Sequence, residues 1–262
     1  TLAQVPWFGP AAICIGLGTA LAGGLTAMLQ PHAKKLLAAS TSAHYGLMFV
    51  AVGAGYPAVA LTHLVAHAFF KALLFLSAGV AGREADSFYL TKMGFGRVLP
   101  ITASATAVGG FALAGIPPLG AAWTKEMVVT AAGHFSPWLA FVVMLAGALS
   151  AAYAMRFVYS AYGVAVNDTS ATTRTTETIA ISSLAAACLA LSLYWLPGIQ
   201  QTLGAWLATS FPTPPPWETI GSLLTVGFGL YTGLLIARKH PALGEDGPVS
   251  AYADWLGLPF AI

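Results

Sequence analysis

Hydrophobicity along this chain comes in long blocks rather than in strict alternation. With about 20 predominantly apolar residues needed to cross a bilayer as a helix, seven blocks qualify: residues 8–29, 36–54, 57–80, 98–133, 137–164, 178–196 and 217–237. The pattern predicts an all-α, polytopic membrane protein of about seven transmembrane helices. The fourth block is interrupted at Gly115-Ile116-Pro117-Pro118-Leu119-Gly120. Its two prolines lack amide donors and clash with the preceding turn, so a helix must break there. Residues 98–116 alone number 19, nearly enough to cross, which argues that the break lies off-centre.

Polar residues inside the blocks are few, and one group of them is ordered. His63, His67 and Lys71 follow one another at steps of four within the third block. On a helix such steps share one narrow face over about 12 Å. Three protonatable groups aligned inside a membrane form a candidate proton path. The plain alternative is a set of histidines that hydrogen-bond a neighbouring helix. An intramembrane lysine, costing roughly 3 kcal/mol to insert, argues against it.

Composition agrees with the setting, since 57% of the 262 residues are apolar and 8% are charged. A net charge of +2 with no basic run excludes a nucleic-acid partner. Eight basic residues then sort the topology: Lys34 and Lys35 follow the first block, Arg83, Lys92 and Arg97 the third, Arg174 the fifth, Arg238 and Lys239 the seventh. The loops after the second, fourth and sixth carry none, and Lys71, Lys125 and Arg156 lie within blocks. By the positive-inside rule the N-terminus is outside and the C-terminal tail cytoplasmic, or on the matrix side. Cys14 and Cys188 have neither metal-type nor disulfide spacing and read as buried free thiols. The chain opens Thr1-Leu2-Ala3-Gln4, without an initiator Met or a signal peptide, and is expected to be a piece of a longer protein.

Just past the break stands Trp123-Thr124-Lys125-Glu126. A broken helix leaves carbonyls and amides unpaired, which a membrane tolerates only where protein or water satisfies them, the usual place for a transporter's ion site. Lys125 and Glu126 are therefore candidate relay residues; the bland alternative is a solvated pair near the non-cytoplasmic surface. His44, about 12 Å into the second block from its cytoplasmic end, either feeds protons toward the third or makes an ordinary interhelical hydrogen bond. Arg156, flanked by Tyr153 and Tyr159, lies near the cytoplasmic end of the fifth block, where its side chain is expected to snorkel. A metal on His63 and His67 is disfavoured, because no acidic or thiolate third ligand is near and Lys71 would repel a cation.

Three runs together carry a resemblance: Lys34-Lys35-Leu36-Leu37-Ala38-Ala39-Ser40-Thr41-Ser42, then Thr62-His63-Leu64-Val65-Ala66-His67-Ala68-Phe69-Phe70-Lys71-Ala72-Leu73-Leu74-Phe75-Leu76, then Ala112-Leu113-Ala114-Gly115-Ile116-Pro117-Pro118 with Trp123-Thr124-Lys125-Glu126. The chain resembles the antiporter-like, proton-conducting subunits shared by respiratory complex I, membrane-bound hydrogenases and multisubunit cation/proton antiporters, over about residues 8 to 165, and most of all the subunit L type of complex I. The resemblance implies that residues 1–165 are the second of two inverted five-helix repeats, its fourth helix broken at 115–120, with additional helices and a tail in 166–262. It assigns His63, His67 and Lys71 to a central relay and Lys125 to the channel toward the outside. Glu126 replaces a more usual Asp, and His44 replaces an amide side chain. The first repeat, with its own Glu and Lys pair, is missing, so this piece alone is not expected to complete a pumping cycle.

The implied function is proton translocation by a membrane subunit of a complex I-type NADH:quinone oxidoreductase. Burial favours a neutral amine and a nearby carboxylate favours an ammonium, so moving a charge partner loads or empties such a site. No nicotinamide, flavin or iron–sulfur pattern occurs, so no cofactor is expected and any redox chemistry belongs to partner subunits. Expected partners are other membrane subunits, the lipid bilayer and the translocated ion, H⁺ or Na⁺, in a bacterial plasma membrane or an organellar inner membrane. Two alternatives stand beside this: a subunit of a cation/proton antiporter or ion-coupled uptake complex, and a non-transporting assembly scaffold.

Overall fold

The computed structural model of the chain describes residues 5–163 and 171–245. The junction expected at 165/166 and the tail beyond residue 245 lie outside them. The described residues form nine α-helices: α1 (Phe8–Leu29), α2 (Ala33–Gly53), α3 (Pro57–Glu84), α4 (Pro100–Ala114), α5 (Gly120–Phe135), α6 (Pro137–Val158), α7 (Thr175–Ala190), α8 (Pro197–Trp206) and α9 (Pro216–Lys239). Proline opens α3, α4, α6, α8 and α9. Its missing N–H is one of the helix's orphan donors there, and its fixed φ suits the first turn.

Six of these elements are long and apolar enough to cross a membrane: α1, α2, α3, α6 with its continuation to Gly163, α7 with its continuation to Trp195, and α9. With the broken pair α4 and α5 as a seventh crossing, the architecture is the expected all-α polytopic one. The break falls where the prolines demand it. α4 stops at Ala114, Gly115 takes a left-handed conformation (φ 89°), and α5 starts at Gly120. At 15 and 16 residues, the two halves would measure about 46 Å end to end, against a hydrocarbon core of about 30 Å.

The central helices are about half buried, whereas α7 and α9 bury only 17% of their apolar windows. α7 leans on α3 and α4, and α9 on α6. α1 and α2 pack through small residues, a usual device where lipid supplies no hydrophobic drive between helices. A Cβ placed on Gly46 would stand 2.5 Å from both Ala20 N and Gly16 O.

The basic residues gather at one end of the bundle. Ala33 N–H donates to Phe88 O (2.9 Å), Leu90 N–H to Pro31 O (2.9 Å) and Phe95 N–H to Ala161 O (3.1 Å), while Arg83 pairs with Glu177 at the start of α7. The α1–α2 and α3–α4 connections, the end of α6 and the start of α7 thus meet at one face. Thr91 donating to Glu245 (2.7 Å) brings the segment after α9 to the same face.

Three expectations are corrected. Cys14 is exposed on α1 rather than buried, unlike Cys188; an apolar block does not say which of its faces meets lipid. The ten-residue α8, too short to cross, stands between the last two crossings where no element was expected. Arg156 does not snorkel but is fully buried. Its Nη1 donates to Met28 O and Gln30 O (2.7 Å each) and its Nη2 to Leu243 O (2.8 Å). It therefore closes the C-terminal end of α1, whose last carbonyls have no partner within the helix, and binds residues 240–245 across it.

Candidate functional site

α3 presents His63, His67 and Lys71 on one buried face, as the four-residue spacing requires. α2 faces them. Its His44, fully buried, has Nδ1 3.0 Å from Nε2 of His63, with the two rings stacked at 5.2 Å between centroids. His44 also stands 5.4 Å from His67 between ring centroids. The other ring nitrogen of His63 reaches Thr124 Oγ1 on α5 at 2.8 Å. His44, His63 and Thr124 thus form an unbroken hydrogen-bonded line across three helices. The Nε2 atoms of His44 and His67 are buried without a hydrogen-bond partner among the described residues.

Lys71 lies at one end of this group. Its Nζ donates to Leu37 O (3.1 Å) and to Ser40 Oγ, both on α2. The line leads at its other end to Lys125, the residue after Thr124. Lys125 Nζ donates to Leu113 O (3.2 Å), Ala114 O (2.9 Å) and Ser150 Oγ of α6 (2.5 Å). The first two are carbonyls that the break leaves without helical partners. Gly115 belongs to the same arrangement, since a Cβ there would stand 3.0 Å from Lys125 Cδ. Glu126 accepts a hydrogen bond from Thr219 Oγ1 of α9. Lys125 and Glu126 are each only 8% exposed, so they are not a solvated surface pair. A cavity of about 270 Å³ lies against both, bounded by Gly115, Gly147, Thr219 and Ser222 among others.

All six candidate residues thus fall in the interior, and His44, His63 and His67 cluster together. Sequence reasoning left Ser40, Thr124, Ser150, Glu218 and Thr219 without roles. Ser40 had a signal, four residues before His44 on one face of α2. Ser150 and Thr219 had none, because only the tertiary packing brings α6 and α9 to the break.

Residues 2–151 match the family model described as NADH:quinone oxidoreductase/Mrp antiporter, TM. The chain is 36% identical over 153 residues to NADH-ubiquinone oxidoreductase chain 5 of Mammuthus primigenius, covering 57% of this chain and 25% of that protein. To the Mus musculus chain 5 it is 34% identical over 151 residues, covering 56% and 25%. It spans about a quarter of the length of these curated relatives. Among solved structures it is similar to a chain of the Mrp complex from Dietzia sp. DQ12-45-1b, with TM-score 0.72 and 25% identity over 97% of this chain and 30% of that one. It is also similar to a chain of respiratory complex I from Thermus thermophilus with bound Aureothin, with TM-score 0.61 and 25% identity over 72% and 44%.

Proposed function

The chain belongs to the NADH:quinone oxidoreductase/Mrp antiporter transmembrane family, and on that premise we propose that it is part of a proton-translocating membrane subunit of a complex I-type NADH:quinone oxidoreductase. The observation that carries this reading is the hydrogen-bonded line from His44 through His63 to Thr124, with a buried lysine at either end. Neutral imidazole accepts a proton on one nitrogen and gives one up from the other, so stacked and bonded histidines relay protons with small movements. Lys71 and Lys125 hold the charge at the ends, Lys71 against one carbonyl and a hydroxyl and Lys125 against two carbonyls and a hydroxyl, rather than against a carboxylate. An ammonium so placed is solvated by the protein yet remains free to lose its proton.

By the positive-inside rule, the end of the bundle that gathers the basic residues is cytoplasmic, or faces the matrix. Protons enter on that side near Lys71, pass the histidines, and reach Lys125 beside the break. We read residues 1–165 as the second antiporter-like repeat. The companion repeat and the redox chemistry are assigned to other parts of the protein and to partner subunits, in a bacterial plasma membrane or organellar inner membrane.

One observation favours a second reading, a subunit of an Mrp-type cation/proton antiporter carrying H⁺ against Na⁺. The likeness to the Mrp chain extends over nearly all of this chain, whereas that to complex I leaves more than a quarter uncovered. Purifying the parent complex and identifying its other subunits separates the two, since flavin and iron–sulfur subunits belong only to the first. Lys71→Ala and Lys125→Ala, measured for proton translocation in the assembled complex, test the relay. Loss of translocation with assembly intact is expected. Unchanged translocation in both would reject the relay and leave a scaffold.

A further inference from the structure

A proton delivered to Lys125 and Glu126 is still buried, and α5 and α9 together offer the rest of a route. On α5, Glu126, Thr130 and His134 recur at steps of four and so share one face running from the break to the end of the helix. Against that face stands the first turn of α9. Thr219 bonds the Glu126 carboxylate, and Glu218 has Thr130, His134 and Glu126 as polar neighbours. Glu218 is only 2% exposed, and its Oε2 has no hydrogen-bond partner among the described residues. Gly133 makes room for it, since a Cβ at that position would overlap Glu218 Oε1. Beyond it His134 is exposed, with Nδ1 2.5 Å from Tyr56 Oη.

An acid in the first turn of a helix is commonly explained by the helix dipole. That explanation fits a solvated side chain. It does not account for a carboxylate turned inward, with one oxygen left unbonded, between a buried glutamate and a surface histidine.

We propose that Glu218 is the proton acceptor that links Glu126 to the surface pair His134 and Tyr56, so that α9 completes the path instead of merely bracing α6. The transfers balance without any co-reactant. Protonated Glu126 gives its proton to the Glu218 carboxylate and becomes a carboxylate itself. Glu218 passes the proton to neutral His134, whose imidazolium releases it to water beside Tyr56. The inference rests on the relay reading above and extends it to a helix outside residues 1–165.

The test is proton translocation in vesicles carrying the intact parent complex, driven by the complex's own reaction, for Lys125→Ala, Glu218→Gln, Glu218→Asp and His134→Ala. Glutamine matches the shape of glutamate but carries no titratable proton, so Glu218→Gln should slow translocation at least about 100-fold, the lower end of the range for losing a positioned acid–base group. Glu218→Asp should restore part of it. His134→Ala should slow translocation, and added imidazole should recover it, which a structural role would not produce. If Lys125→Ala stops translocation while Glu218→Gln runs at the wild-type rate, the Glu218 inference falls and the relay stands. If Lys125→Ala has no effect, the relay reading itself fails. Should Glu218→Gln not assemble, His134→Ala decides: an imidazole-restored loss supports the outer path, and an unchanged rate overturns it.

Discussion

Replacing Arg156 with methionine should release the segment after α9 from the end of α1 while leaving the rest of the bundle folded. The guanidinium makes three bonds, to Met28 O in the last turn of α1 and to Gln30 O just past it at 2.7 Å each, and to Leu243 O at 2.8 Å. Bonds from a charged donor contribute about 1.5–3 kcal/mol each, giving a ceiling of roughly 4.5–9 kcal/mol. Desolvating a buried cation opposes this by several kcal/mol. Methionine fills similar space without the charge, so a net local loss of about 2–4 kcal/mol is expected. Amide exchange in residues 240–245 should then quicken by roughly 30- to 900-fold, at 1.36 kcal/mol per tenfold change. Hydrogen–deuterium exchange resolved by peptide reads this directly, with α3 and α6 as internal controls. Arg156→Lys should restore only part of the protection, because one Nζ stands in for the two guanidinium nitrogens that reach the end of α1 and Leu243 O separately. Exchange within about threefold of wild type in both variants would refute the reasoning, since the bond that holds the segment, to Leu243 O, would then contribute less than about 0.7 kcal/mol.

Thr124→Val keeps the shape of the side chain but leaves Nδ1 of His63 without its 2.8 Å partner; translocation by the assembled complex should fall about 10- to 100-fold, at most the bottom of the range of about 10²–10⁴ for losing the acid–base group itself. Gly46→Val drives a branched side chain into the α1 backbone at Gly16 and Ala20, and thermal unfolding in detergent should show a loss of about 1–3 kcal/mol. His32, between α1 and α2, is held below the usual imidazole range first by burial and then by Lys35 and Lys34. The folded state therefore binds fewer protons there than the unfolded one, so stability at this turn falls as pH drops below 6.5. The protection factors of residues 30–33 and 87–90, which remove the intrinsic pH dependence of amide exchange, should fall from about pH 7 to about pH 5, and His32→Phe should abolish that fall.

The parts of the site readable in the sequence are those fixed by one helix. His63, His67 and Lys71 lie on one face because spacing alone decides it, and the break at Pro117 and Pro118 follows from backbone chemistry. The illegible parts depend on which helix lies opposite. His44 could not be told from an ordinary polar contact until α2 was seen to place it 3.0 Å from His63. Arg156 looked like a snorkelling side chain because nothing local announces that the end of α1 lies beside it. Cys14 went wrong for a related reason: in a membrane the face toward lipid and the face toward protein are equally apolar. α8 was overlooked because ten residues do not form a crossing block, and Glu218 because an acid opening a span looks solvated until its neighbours on α5 are known.

Lys125 donates its hydrogen bonds at the break to the peptide carbonyls of Leu113 and Ala114. A carboxylate partner could itself take up the proton, and the two charges would cancel by chemistry alone. A carbonyl cannot be protonated near neutral pH, so its hold on the lysine is altered only by moving the backbone that carries it. On the proposed relay, the end of α4 is a mechanical element: a displacement of a few tenths of an ångström along its axis would change how firmly a proton is held, and loading that proton would pull back on the helix with an equal force. A lever of this kind converts strain arriving from elsewhere in an assembly into a change of proton affinity at one residue, and the two prolines that interrupt the helix keep that lever from being welded to α5.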